Sequence, residues 1–98
     1  MINEMLTDFR VSMNKIAAEL HEAYQNERLE VVGALAHKLK SSARSVGAMA
    51  LGEVCEALER MGKNKDIAAL TDEMPSFEKH IKQVEAFLAD RAVKGDMN

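Results

Sequence analysis

Apolar side chains recur along the chain at spacings of three and four, the period of one helix face, in four separate blocks. In the first, Ile2, Met5, Leu6, Phe9, Met13, Ile16, Leu20 and Tyr24 share a stripe that predicts a helix from about Asn3 to Tyr24, with a short turn at Gln25-Asn26. Leu29, Val32, Leu35, Ala36, Leu39 and Ala43 predict a second helix ending near Arg44 or Ser45, ahead of Val46-Gly47, where glycine suits helix termination or a tight turn. Leu51, Val54, Cys55, Leu58 and Met61 predict a third helix, with Gly62 and Lys63-Asn64 expected to supply its stop and loop. The fourth block, Ile67, Leu70, Met74, Phe77, Ile81, Val84, Phe87 and Leu88, is interrupted by Pro75. Proline removes a backbone donor and clashes with the preceding turn, so the last helix is expected to be kinked or broken near Pro75, around Thr71 to Met74.

Connections this short cannot return the chain to the end where a helix began, so consecutive helices must be antiparallel neighbours. The fold class that follows is all-α, an up-down-up-down four-helix bundle, expected over residues 1–91 with a frayed tail over 92–98. A length of 98 residues supports one core, and 47% hydrophobic and 30% charged residues with a single proline suit helices. No run approaches the roughly 20 apolar residues of a membrane span, and the N-terminus lacks the basic-then-apolar order of a signal peptide, so a soluble, cytoplasmic protein is expected; a monomer is expected as well. The single cysteine, Cys55, excludes an internal disulfide and sits on the apolar stripe between Val54 and Leu58 as a small hydrophobe.

Charge changes the picture through its distribution. The net charge of −3 argues against a nucleic-acid partner. Between Val31 and Gly52, however, there is no Asp or Glu, while Lys38, Lys40 and Arg44 are present. His37 lies inside this basic island. At about 100° per residue, it falls roughly 140° from the mean direction of the second apolar stripe and is predicted to face solvent. His37, Lys40, Ser41 and Arg44, related by three, four and seven, then form one outward ridge, bordered by small residues including Gly33, Ala34 and Ser42.

An exposed imidazole offers a nucleophilic nitrogen lone pair at neutral pH. A cation one turn away would stabilise an arriving phosphoryl group, and an absence of nearby carboxylates would spare a dianionic phosphate from repulsion. Small neighbours would let another protein dock closely. These residues fit a phosphorylatable histidine served by a protein partner, yet a lone surface histidine beside a charge run also fits a solvated helix face. A helical adaptor that binds its partner without phosphotransfer is the alternative. A metal site is disfavoured, because no pair among His21, His37 and His80 has the i, i+3 or i, i+4 spacing that takes two ligands from one helix. No glycine-rich phosphate loop marks an ATP site.

His37-Lys38-Leu39-Lys40-Ser41-Ser42, then Val46-Gly47-Ala48, Leu51, Cys55 and Leu58-Glu59, resemble the histidine-containing phosphotransfer (HPt) domains of multistep phosphorelays. The resemblance implies a four-helix bundle that takes a phosphoryl group from an aspartyl phosphate on one receiver domain and passes it to another. It implies His37 as phosphoacceptor and Lys40 as the cation near the phosphate. Ser41 stands where the family most often has glycine, and Gly47 where it has the turn glycine between the central helices. Leu39, Leu51, Cys55 and Leu58 would be core. Partners would be receiver domains of response regulators and of a hybrid sensor histidine kinase, met through Ala34, Lys38, Ser41, Arg44 and Ala48. Arg44 departs from the small residue common there and adds positive charge beside that face. The domain would be a phosphocarrier, not an enzyme, with no cofactor of its own and Mg2+ held by the receiver.

Overall fold

Gly62, the glycine expected to stop the third helix, instead joins two helices. In the computed structural model the backbone is described for residues 2–96 and the side chains for 7–89. Four helices follow in order: α1 Ile2–Gln25, α2 Leu29–Ser45, α3 Met49–Lys63 and α4 Ile67–Asp96. Gly62 lies inside α3 and is buried. A Cβ placed on it would come within 2.7 Å of the Leu29 carbonyl oxygen and 2.8 Å of the Gly33 nitrogen. Gly33 and Gly62 therefore let the backbones of α2 and α3 touch, and Gly33 is buried in that contact.

The three connections share one geometry. At the end of α1 the Arg28 amide donates to the Ala23 carbonyl and that of Glu27 to Tyr24. Ala48 to Ala43 with Gly47 to Arg44, and Asp66 to Met61 with Lys65 to Gly62, repeat the arrangement after α2 and α3. Each satisfies the orphan carbonyls of a helix end through one residue in the left-handed region: Glu27 (φ 56°), Gly47 (φ 85°) and Lys65 (φ 54°). Only the middle one is the glycine this conformation favours.

Helices adjacent in sequence pack together, and α1 also meets α4, closing a ring of four around one core. Phe9, Met13, Ile16 and Leu20 of α1, Val32, Ala36, Leu39 and Ala43 of α2, Leu51, Cys55 and Leu58 of α3, and Leu70, Met74, Phe77 and Leu88 of α4 fill it. These are the predicted stripes. Ile2, Met5, Leu6 and the segment 92–98 lie outside the described side chains. Pro75 is carried within a single element, so α4 does not divide into two helices. Ile67 and Phe87, assigned to the fourth stripe, are 38% and 56% exposed. At about 1.5 Å per residue α4 accounts for the 47 Å long axis, with a cross-section of 20 × 20 Å. Among the described residues no helix is long and apolar enough to cross a membrane.

Candidate functional site

His37 sits near the middle of α2, and its side chain is 60% exposed, as the wheel predicts. The ring is nevertheless anchored. Its Nδ1 lies 3.0 Å from Oε2 of Glu59 on α3. The close approach at Gly33 and Gly62 explains the reach: Gly33 stands one turn before His37 and Gly62 one turn after Glu59, so the contact brings these side chains across one seam.

Glu59 is a nearly buried carboxylate, 8% exposed, on the inward-facing side of α3. Lys40 Nζ donates to its Oε1 at 2.6 Å, and Lys63 Nζ lies 3.3 Å from Oε2. The Lys40 hydrogen bond, together with Lys63 and the charge of His37, outweighs burial and pushes the Glu59 carboxyl down to about 2. Glu59 is therefore an anion over the whole neutral range. An ionised carboxylate only accepts, so the proton in its bond to His37 belongs to Nδ1. The neutral imidazole is thereby fixed with its lone pair on Nε2, which makes no hydrogen bond among the described residues.

Two expectations change. Lys40, placed by the wheel on the outward ridge, turns into the α2–α3 seam and is only 16% exposed. The carboxylate-free stretch of sequence is not carboxylate-free in space, because α3 lays Glu56 and Glu59 along it. Arg44 bends over Gly52, whose Cβ would lie 3.2 Å from Arg44 Cγ, and reaches Glu56 at 3.5 Å. Its charge is thus directed toward α3. Ala34, Lys38 and Ser41 are exposed on α2, while Ala48 is half-buried at the start of α3 and packs against the core. Gly33 offers no open space beside His37.

Glu59 has no role that the sequence alone assigns. Its signal was present: it follows Cys55 by four and precedes Gly62 by three, which puts a carboxylate on an inward stripe. A charge on such a stripe needs partners, and here they are His37, Lys40 and Lys63. Cys55, in contrast, is a core residue; burial pushes its thiol up to about 12. It therefore remains protonated and unreactive at neutral pH.

An exposed histidine, oriented by a buried carboxylate that two lysines also contact, thus stands midway along the bundle. The Hpt domain family model matches residues 4–87, and the chain belongs to that family. Its domains are phosphocarriers in histidine phosphotransfer, not kinases, and interact with receiver domains of phosphorelays. The fold is also that of histidine-containing phosphotransfer protein B (HptB) from Pseudomonas aeruginosa PAO1, with a TM-score of 0.88 and 18% identity over 94% of this chain and 80% of the other. No curated protein matches the sequence.

Proposed function

We propose that the domain accepts a phosphoryl group on Nε2 of His37 from the aspartyl phosphate of one receiver domain and passes it to the aspartate of another in a two-component phosphorelay. The observation that carries this reading is the His37–Glu59 hydrogen bond on an otherwise open imidazole. Nε2 attacks the phosphorus in line, the N–P bond forms, and the P–O bond to the receiver breaks as its carboxylate leaves with the electron pair. The Nδ1 proton stays in its bond to Glu59, whose negative charge stabilises the positive phosphoimidazolium ring. Onward transfer is the reverse, with Nε2 as leaving group.

Lys40, held against Glu59, supplies positive field from a fixed position. Ala34, Lys38 and Ser41 would form the adjoining receiver contact, with a hybrid sensor histidine kinase's receiver as one donor and a response regulator as acceptor. Mg2+ enters this scheme on the receiver's carboxylates. The test is incubation with a purified phosphorylated receiver. Label should appear on this chain in an acid-labile, base-stable linkage and be absent from His37→Gln, whose melting temperature stays near that of the parent. Labelling of His37→Gln, or binding of the receiver without any label, would overturn the proposal.

A further inference from the structure

The basic groups near His37 differ in how free they are to move. Lys40 is largely enclosed and makes the shortest ion pair at the site, 2.6 Å to Glu59 Oε1. Arg44 is engaged with Glu56 across Gly52. Lys38 is exposed, but on the helical wheel it lies about 100° from His37, away from the side that meets α3. Of the two lysines paired with Glu59, the carboxylate that holds His37, Lys63 is the other. Its side chain is 73% exposed, its contact with Glu59 is 3.3 Å, and it shares with His37 Nδ1 the same carboxylate oxygen, Oε2. It also borders an open cleft of 310 Å³ lined by Lys40, Glu56, Glu59, Arg60 and Asn64.

From this arrangement we infer that Lys63 is a second phosphoryl-binding residue, a mobile cation that leaves Glu59 and closes on the phosphate once the phosphate is attached to His37. The inference rests on the phosphotransfer reading above. Its cause is electrostatic. With His37 neutral, Glu59, Lys40 and Lys63 sum to one positive charge; a phosphoryl group of nearly two negative charges on a ring made positive brings that total to about zero, so no positive excess is left and the dianion needs a cation close to it. Nδ1–H still needs Glu59, and Lys40 is held between the helices. Of the two lysines on Glu59, Lys63 has the longer contact, 3.3 Å against 2.6 Å, with open space around it and a flexible four-carbon stem, so moving it sacrifices less. The carboxylate and the phosphoryl group would otherwise face each other with Lys40 held on the far carboxylate oxygen, Oε1, and Lys63 on Oε2.

The experiment loads the full chain with phosphoramidate as a receiver-independent donor; the bond from Nε2 of His37 to phosphorus forms as the P–N bond of phosphoramidate, protonated on its nitrogen, breaks and ammonia leaves with the electron pair. Phosphorus NMR then follows the second ionisation of the phosphohistidine, set by its surroundings His37, Lys40, Glu59 and Lys63. Lys63→Gln should raise that ionisation by about half a unit or more. It should also slow transfer from a phospho-receiver about three- to tenfold, while Lys63→Arg preserves both. A role confined to neutralising Glu59 is separated by repeating the substitution in Glu59→Gln. A persistent Lys63 effect supports direct phosphate contact, and its disappearance there overturns it. If the parent protein takes label from neither phosphoramidate nor receiver, the phosphotransfer reading fails. If it is labelled and Lys63→Gln titrates like the parent, only the assignment of Lys63 fails.

Discussion

Glu59 and His37 stand 22 residues apart in the chain, yet their side chains share a hydrogen bond of 3.0 Å across the α2–α3 seam. The bond decides which imidazole nitrogen is free. Replacing the charged acceptor by a neutral one should therefore separate orientation from charge. Glu59→Gln retains an oxygen for Nδ1–H and loses the anion that balances a positive ring. The difference between a charged and a neutral hydrogen bond is about 1 to 1.5 kcal/mol, so phosphorylation of His37 should slow about tenfold. Glu59→Ala also frees the ring to rotate and leaves Lys40 without its partner, and should lose about a hundredfold. Single-turnover transfer from a phospho-receiver checks both, and parent-like rates in both variants would remove Glu59 from the mechanism.

The same carboxylate ties stability to pH. Its folded value near 2 lies below the usual carboxylate range, and its partners are made only on folding. A depressed carboxylate contributes stability above its unfolded value, roughly 4.3, and that contribution fades as pH falls toward about 2. Thermal melts from pH 7 to 2 should show the parent more stable than Glu59→Gln at neutral pH. The gap should narrow below about pH 4 and close near pH 2. A gap independent of pH would mean that the charge of Glu59 contributes nothing.

The bundle itself was legible, because four stripes at helical spacing and three short connections leave little choice of topology. Leu39, Cys55, Leu58 and Phe77 are buried where their periodicity puts them. The exposure of His37 was legible for the same reason. What a single-helix wheel does not contain is the neighbouring helix. Lys40 and Arg44 are outward on α2 alone, but α3 presents Glu59 and Glu56 beside them, and long flexible side chains turn toward opposite charge. Gly62 is ambiguous in sequence because glycine is both a helix terminator and the residue that permits backbone contact. Only the opposed Gly33, 29 residues earlier in the sequence, distinguishes the two roles.

That contact predicts opposite outcomes for two α3 glycines. At Gly62 an added methyl would press on backbone atoms at 2.7 to 2.9 Å, which cannot move without parting the helices. Despite the better helix propensity of alanine, Gly62→Ala should lose about 1 to 3 kcal/mol. By widening the seam, it should also weaken the His37–Glu59 bond and slow phosphorylation. Gly52→Ala meets the Cγ of exposed Arg44 at 3.2 Å, a flexible side chain that can shift. It should be neutral or stabilising by up to about 1 kcal/mol. Denaturant titrations of the two variants should give opposite signs; a Gly62→Ala protein as stable as the parent would disprove the backbone contact.

The helix ends offer a complementary test remote from the chemistry. Glu27 and Gly47 occupy the same place in equivalent turns, both in the left-handed region, but only Gly47 has the residue type that does so without a steric penalty. Glu27 forms no ion pair among the described residues, so replacing it costs no identified partner. Glu27→Gly should relieve about 1 kcal/mol of backbone strain, offset in part by the greater freedom of glycine in the unfolded chain. A net gain of about 0.5 kcal/mol would raise the melting temperature by about 2 to 4 °C for a domain of this size. Gly47→Ala should move it down by a similar or larger amount. Transfer to and from His37 should be unchanged by Glu27→Gly, because the hydrogen bonds and ion pairs of His37, Lys40, Glu59 and Lys63 run among themselves and not to Glu27. If Glu27→Gly lowers the melting temperature, the turn at the end of α1 does not hold Glu27 in the left-handed conformation.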